Sequence, residues 1–379
     1  MLRRSLLVSL AAFALAPAAA VAWPLEGGSA KRANVRQVNV QPPYEMVWTN
    51  RVVRGHGGLL EHGVTVAAGR VYGATIDGTT FALNATSGRL LWKRSLGRRL
   101  ATTPTYHRGY LYVQAKRSSV GARLWKLSAR TGATRWARRL SPSGSEGGPL
   151  VVGGKVYITN GKAGWLRAYT LSGRFAWKRR ICQAWQAPTW TGRHIVVGDY
   201  CGRVRAFTPK GRLVWQRRVT GSIYAATNSV GRRLYVHTKA GLLYALNART
   251  GRRIWTRRTG RGIGYPECAA TRTRVWCANG WGDNRLSAWR ASDGHRLWSR
   301  RLPGQVMGAV VLTRRMLWVG THDGRDSSYN RKARRVLGFN PWTGRLRVRM
   351  GSARYDPLAA GRSMLYVIHY AKIEAIRER

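Results

Sequence analysis

Apolar and polar residues alternate along most of the chain in one repeated unit. In its clearest copy, residues 81–92, an apolar run is followed by a polar turn that ends in Gly88 and by a second apolar run that ends in Trp92. In every copy the bulky residue lies four positions after the turn glycine. The other copies end at Trp136, Trp177, Trp215, Trp255, Trp298 and, with valine in the tryptophan place, Val348.

This alternation predicts β-hairpins, because one face of each strand is apolar and the turn glycine provides the left-handed backbone of a type I turn with a G1 bulge. Another apolar stretch precedes each hairpin, for example residues 109–113 and 154–158, so each unit contains about four strands. Successive repeat tryptophans, beginning with Trp48, are 38 to 44 residues apart. That period is typical of a four-stranded propeller blade.

The sequence therefore predicts an all-β fold, an eight-bladed β-propeller of four-stranded antiparallel blades over residues 45–379. A period of about 42 residues fits into this segment eight times, and seven blades are the alternative if the unit at residues 307–349 is irregular. Residues 44–48 resemble an outer strand without a hairpin before it, and residues 361–376 resemble inner strands without an outer strand after them. We expect the N-terminal strand to complete the last blade and leave no open sheet edge.

The first 22 residues have the features of an export signal. Arg3 and Arg4 precede an apolar segment, residues 6–15, and residues 20–22 form a small-x-small cleavage pattern. We expect a signal peptide at residues 1–22 and an extended lead-in with little core at residues 23–44. An uncleaved membrane anchor is the alternative, although the apolar run is short for a span. The protein is thus expected to be exported, periplasmic, cell-surface or secreted, without a transmembrane span once the leader is removed.

The four cysteines are an even set, which favours disulfides in an exported chain. Of the three connectivities, spacing favours Cys182–Cys201 and Cys268–Cys277, because the two members of each pair flank a turn. A metal site is the alternative. It has no support from a CxxC spacing or from a histidine at ligand spacing, so no metal is expected.

Net charge is the second strong signal. The chain has 67 Lys and Arg against 14 Asp and Glu, a formal charge of +53, and 56 of the basic residues are arginine. A GC-rich coding sequence would explain part of the arginine bias without changing the electrostatics. Such a charge attracts polyanions.

Arginines recur two and three residues after the repeat tryptophans. In a propeller this position is the end of the outermost strand, so the arginines are expected to surround the rim of one face. Protection of exposed strand edges is the alternative explanation, but it requires neither arginine nor a single sign of charge. The candidate binding residues are Arg94, Arg138, Arg139, Arg179, Arg180, Arg217, Arg218, Arg257, Arg258, Arg300 and Arg301, with Arg51 near the seam.

The unit resembles the pyrroloquinoline-quinone-type propeller repeat over nearly all of residues 45–376. The resemblance rests on a Gly-x-Val-Tyr strand, an Ala-Leu-Asn strand, a Thr-Gly turn and tryptophan four residues later. The family contains quinoprotein dehydrogenases and non-enzymatic scaffolds, such as the lipoprotein of the bacterial outer-membrane barrel assembly machinery. The fold alone does not distinguish them.

The resemblance to the dehydrogenases would imply an adjacent Cys-Cys pair on the quinone, ligands for calcium and long insertions between blades. No two cysteines are neighbours here, and the chain has no room for the insertions. We therefore expect the chain to be of the scaffold type. This expectation favours a protein that is not an enzyme. No cofactor is expected, and pyrroloquinoline quinone is the alternative.

A second group of candidates lies just before each first strand, where the chain reaches the central funnel. Two of only 14 acids are in this group, so the funnel mouth is predicted to hold a small cation or a polar ligand. Packing between blades is the alternative for the aromatic members. The candidates are Glu61, His62, Glu146, Trp185, Tyr224, Tyr265 and Tyr355; no catalytic residue is indicated.

Together these patterns predict an exported, non-enzymatic binding or scaffold propeller. Its arginine-rich rim is expected to engage an anionic cell-envelope polymer or an acidic protein, and extracellular nucleic acid is a third anionic partner. The alternative is a quinone-dependent or other enzyme, or a ligand-binding protein, that uses the central funnel.

Overall fold

A computed structural model describes residues 28–379 apart from 36–37, 39, 57–62, 98, 119–120, 141–143, 261–266, 281, 307, 323–334, 352–357, 362 and 370–371. The described residues form 33 β-strands in eight antiparallel sheets. They contain no helix that is long and apolar enough to cross a membrane. The predicted eight-bladed propeller is confirmed, and the seven-blade alternative is wrong. The predicted signal peptide lies outside the described residues.

Blades 1 to 4 follow each other along the chain. The strands of each blade are given in order from the central channel outward. The chain begins with β1 (Tyr44–Asn50), which belongs to the last blade. Blade 1 consists of β2 (Thr65–Ala67), β3 (Arg70–Ala74), β4 (Thr79–Asn84) and β5 (Leu90–Ser95). Blade 2 consists of β6 (Arg99–Ala101), β7 (Thr105–His107), β8 (Tyr110–Ser118), β9 (Gly121–Ser128) and β10 (Thr134–Leu140). Blade 3 consists of β11 (Leu150–Val152), β12 (Lys155–Thr159), β13 (Trp165–Thr170) and β14 (Phe175–Arg180). Blade 4 consists of β15 (Thr189–Trp190), β16 (Ile195–Gly198), β17 (Arg203–Phe207) and β18 (Leu213–Arg218).

The remaining blades continue the same order. Blade 5 consists of β19 (Asn228–Val230), β20 (Arg233–His237), β21 (Leu242–Asn247) and β22 (Arg253–Arg258). Blade 6 consists of β23 (Ala269–Ala270), β24 (Arg274–Ala278), β25 (Arg285–Arg290) and β26 (Arg296–Arg301). Blade 7 consists of β27 (Val311–Leu312), β28 (Leu317–Thr321), β29 (Arg335–Phe339) and β30 (Leu346–Met350). Blade 8 consists of β31 (Leu358–Ala360), β32 (Leu365–Ile368), β33 (Ile373–Glu378) and β1.

The ring is closed by the N-terminal strand, as the sequence predicts. β1 pairs antiparallel with β33, and Trp48 lies opposite Ala375. The inner strand β31 of blade 8 contacts β2 of blade 1. The seam is therefore a β-sheet like the others, although its strands come from opposite ends of the chain.

The repeat tryptophan joins each outer strand to the next blade. On its own sheet Trp92, like the tryptophans of blades 3 to 6, lies opposite an alanine of the neighbouring strand. Its ring packs on the turn glycine of the next blade, Gly132. Its Nε1 donates to a carbonyl three residues before that glycine, Ala129 O, at 3.2 Å. The turn glycine and the tryptophan of one blade, Gly88 and Trp92, are four residues apart in sequence, but Gly88 contacts Trp48 of the preceding blade and Trp92 contacts the next blade.

The lead-in enters the core more deeply than its sequence suggests. Backbone carbonyls of residues 30, 31, 33 and 34 accept hydrogen bonds from inner-strand residues of blades 4, 5, 6 and 7 in turn, at 2.8 to 2.9 Å. Arg32 and Asn34 are fully buried, as are Val38 and Val40. The expectation of little core is wrong for this part of the chain. Its core contribution comes from backbone carbonyls, from the polar side chains of Arg32 and Asn34, and from Val38 and Val40, which belong to the apolar cluster around Trp48.

Candidate functional site

All eleven candidate rim arginines are exposed and lie near the ends of outer strands. Those strands are β5, β10, β14, β18, β22 and β26, which belong to six consecutive blades. Because the blades repeat, the arginines occupy equivalent positions around an arc of the rim. Arg51 follows β1 and is also exposed.

The first arginine of each pair is fixed to the next blade. It lies two residues after the tryptophan, and side chains two apart on a strand share one face. Its guanidinium therefore reaches the same turn glycine on which the tryptophan ring packs, and donates to that carbonyl. The bonds run from Arg94 to Gly132 (3.3 Å), Arg138 to Gly173 (2.7 Å), Arg179 to Gly211 (2.7 Å), Arg217 to Gly251 (3.0 Å), Arg257 to Gly294 (3.0 Å) and Arg300 to Gly344 (3.1 Å).

The second arginine of each pair lies on the opposite face of its strand. In blade 3, Arg180 donates to Ala163 O at 2.8 Å and lies 5.0 Å from the ring centre of Trp165. The side chains of the other four make no hydrogen bond or ion pair with a described residue. They are Arg139, Arg218, Arg258 and Arg301.

No ion pair among the described residues includes a rim arginine. The charged contacts that are present lie elsewhere, for example Arg205 with Asp199 and Arg377 with Glu45. Hydrogen bonds to neutral carbonyls orient the first arginines without cancelling their charge. Over the part of the chain that the structure describes, the rim arginines thus keep their positive charge without an ion-pair partner.

Grooves lie on the rim between successive blades. We call them groove 4/5, groove 5/6 and groove 6/7 after the blades that form them, and their volumes are about 630, 470 and 1070 Å³. Each is lined by the arginine pair of the first blade and by at least one arginine of the next outer strand or of the turn before it. Those additional arginines are Arg253 in groove 4/5, Arg296 in groove 5/6, and Arg345, Arg347 and Arg349 in groove 6/7. Groove 5/6 also contains Asp293, which pairs with Arg290 at 3.0 Å.

The funnel candidates that the structure describes come together. Tyr224 Oη donates to Glu146 Oε2, although the two residues precede different blades. The Trp185 carbonyl accepts the backbone N–H of Glu146 at 3.0 Å. Glu61, His62, Tyr265 and Tyr355 lie outside the described residues.

Three further residues at this mouth were not predicted from the sequence. Lys116 Nζ lies 5.8 Å from the ring centre of Trp185, Tyr200 meets the ring of Tyr224 at 6.0 Å, and Lys239 Nζ lies 5.1 Å from the ring of Tyr200. Burial lowers the pKa of Lys116 below its ordinary value of 10.5, and the Glu146 carboxylate opposes this effect. Lys116 is on β8, which pairs with both inner strands of blade 2, and the other two follow the second strands of blades 4 and 5. The turn after each second strand was therefore the signal that could have identified them.

Both predicted disulfides are confirmed, Cys182–Cys201 and Cys268–Cys277. Cys201 is exposed, whereas Cys268 and Cys277 are buried. The Asp199 carboxylate lies beside the first pair and accepts the backbone N–H groups of both cysteines, at 3.2 and 3.0 Å. This carboxylate thereby orders the turn at the edge of groove 4/5.

Comparison with known proteins identifies the repeat. A family model described as outer membrane protein assembly factor BamB matches residues 37–186 and 162–276. The chain is 26% identical over 293 residues to the outer membrane protein assembly factor BamB of Yersinia pestis, a match that covers 73% of this chain and 65% of that protein. The match thus covers less than two thirds of that relative's length.

Solved structures share the fold. BamB from Moraxella catarrhalis superposes with a TM-score of 0.70 at 20% identity, over 89% of this chain and 98% of that one. The quinohemoprotein alcohol dehydrogenase of Comamonas testosteroni superposes with a TM-score of 0.74 at 13% identity, over 94% and 80%. The resemblance to the pyrroloquinoline-quinone-type propeller is confirmed, and the fold occurs in an assembly factor and in an oxidoreductase alike.

Proposed function

The chain belongs to the outer membrane protein assembly factor BamB family, and we propose that it is an exported, non-enzymatic binding propeller whose arginine rim holds an anionic partner. The observation that supports this most strongly is the rim itself. Eleven exposed arginines lie at equivalent places on six consecutive blades, and none has a carboxylate partner among the described residues. Their charges add in a chain whose formal charge is +53.

An anionic polymer of the cell envelope suits this surface better than a small anion. Surface ion pairs contribute little individually, roughly 0 to 1 kcal/mol each. A polymer that contacts several rim arginines at once binds more tightly than separate anions. Its charges are covalently linked, so each contact after the first is intramolecular. An acidic protein and extracellular nucleic acid also carry many negative charges, and each is titrated in the same assay as a comparison ligand.

Titration of the mature protein with an anionic polysaccharide tests the proposal. We expect binding at low salt, with an affinity that falls by about tenfold or more between about 50 and 200 mM salt because counterions compete. A neutral polysaccharide of equal length should not bind. The double variant Glu146→Gln/Tyr224→Phe should bind like the wild type, because it changes the funnel and leaves the rim intact. Absence of binding at low salt would refute the proposal.

The funnel cluster supports a second candidate function, a small-ligand or quinone site. Glu146, Tyr224 and Trp185 bring a carboxylate, a phenol and an indole to one mouth of the channel. Optical absorption of the purified protein and dye-linked oxidation of alcohols and sugars distinguish this function from the first. We propose that the protein works without a bound cofactor, so neither signal is expected.

A further inference from the structure

Building on the proposed function, we propose that grooves 4/5, 5/6 and 6/7 bind successive acidic residues of one linear polysaccharide, and that the rest of the rim does not. The three grooves lie between four consecutive blades. A chain that follows the rim therefore meets them one after another. The rim would then have a binding arc of defined length.

Grooves 4/5 and 5/6 differ from the rest of the rim at the second residue after the turn glycine. In blades 5 and 6 the second residue after the turn glycine is Arg253 or Arg296, and each lines its groove. In blades 3 and 4 the same position is Phe175 or Leu213, which are 56% and 48% exposed. In blade 7 it is Leu346, and the arginines on either side of it line groove 6/7.

Within each groove the arginines have different tasks. In groove 5/6 the first arginine of the pair is Arg257. Its guanidinium donates hydrogen bonds to three backbone carbonyls at 2.8 to 3.0 Å. It is a fixed positive charge. Arg296 makes no side-chain hydrogen bond with a described residue, so its planar fork remains available for the bidentate contact that suits a carboxylate.

Groove size indicates a sugar rather than a bare anion. Volumes of about 470 to 1070 Å³ lie in the range of small-molecule sites and far exceed a single carboxylate or phosphate. Groove 6/7 also has an exposed apolar side chain in its lining, Leu346, which is 39% exposed. A sugar ring presents both an apolar face and a carboxylate, whereas polyphosphate presents charge alone.

The test compares two triple variants with equal loss of charge. The arc variant is Arg253→Leu/Arg296→Leu/Arg347→Leu. The control variant is Arg89→Leu/Arg174→Leu/Arg212→Leu, which removes exposed arginines at the starts of outer strands in blades 1, 3 and 4. Far-ultraviolet circular dichroism and thermal unfolding check that both are folded.

The probes are oligogalacturonates of increasing length, measured by calorimetry at low salt. For the wild type, affinity should rise with length until the chain spans three grooves and then level off. The arc variant should bind the longest chain about tenfold or more weakly and lose the length dependence, since three surface contacts are removed. The control variant should stay within about threefold of the wild type.

Other outcomes separate the two proposals. If both variants weaken equally, binding is spread over the rim and the arc is refuted, while the proposed function stands. If the wild type binds no oligogalacturonate or other polyanion, the proposed function fails. Polyphosphate of matched charge that binds as tightly would refute the choice of a sugar. Leu213→Arg provides the converse test, because it gives blade 4 the arginine that blades 5 and 6 have at this position and should extend the length dependence.

Discussion

The closure of the ring can be tested at a single glycine in blade 1. Gly88 has a φ of +71° and would place an added Cβ 2.5 Å from Cδ2 of Trp48, the tryptophan of the N-terminal strand. Gly69, in the same blade, has a φ of +70°, but an added Cβ would have no atom within 4 Å. Alanine at the two positions thus imposes the same backbone cost and differs only in the contact with Trp48.

The expected losses of stability follow from two contributions, the left-handed backbone and the contact with Trp48. A left-handed conformation costs a non-glycine residue about 1–2 kcal/mol, so Gly69→Ala should lower the free energy of unfolding by about that amount. Gly88→Ala adds an overpacking penalty of about 1–3 kcal/mol, because carbon atoms ordinarily approach to about 3.5–4.0 Å. We therefore expect Gly88→Ala to be the more destabilising variant by about 1–3 kcal/mol.

Urea unfolding of both variants, each with and without Trp48→Ala, measures the difference. Trp48→Ala alone should cost about 3–5 kcal/mol, since the side chain is 8% exposed and its Nε1 donates to Ala85 O at 3.0 Å. In that background Gly88→Ala and Gly69→Ala should become nearly equal, which a double-mutant cycle reports as coupling. Equal costs for the two glycines in the wild-type background would show that Trp48 does not dock on blade 1.

Three further predictions concern other parts of the ring. Mild reduction followed by alkylation and mass spectrometry should label exposed Cys201 before buried Cys268, and simultaneous labelling would contradict the difference in burial. Hydrogen bonds from His369 and Lys372 lower the pKa of Glu374 from 4.5 to about 2, so its stabilising contribution is present above pH 4.5 and is lost as pH falls through about 2. Glu374→Gln should flatten that part of the pH–stability curve, and an unchanged curve would contradict the assignment. Deletion of residues up to 35 should lower the thermal midpoint, because four blades lose backbone hydrogen bonds to this segment; an unchanged midpoint would contradict its role in the core.

The sequence was most informative where one contact is repeated. Trp92 and Gly132 recur at fixed positions because each blade makes the same contact with the next, so the period predicted the blades, their number and the closing strand. The lead-in could not be predicted in this way. Its burial rests on backbone carbonyls and on single side chains such as Arg32, whose guanidinium donates to Pro188 O at 3.0 Å. Contacts of that kind have no period and no apolar pattern.

The arginine pairs were predicted as one set, but the structure divides them. Alternation along the outer strand directs Arg217 towards blade 5 and Arg218 to the other face of the strand, and only the first has a neutral carbonyl partner. The additional arginines of each groove follow a different turn from the pair, so their proximity to the pair depends on how two blades pack.

The structure also bears on whether the rim arginines only protect strand edges. Protection requires a charge that points away from the sheet, and lysine or glutamate would serve as well. Instead, at six blade interfaces an arginine donates a hydrogen bond to a glycine carbonyl of the next blade. The bond keeps the charge at the joint between blades without neutralising it, and like charges repel there. An anion bound across a joint would relieve that repulsion, so a ligand of the rim should stabilise the fold by mass action. Edge protection alone gives no such coupling between a polyanion and the unfolding temperature.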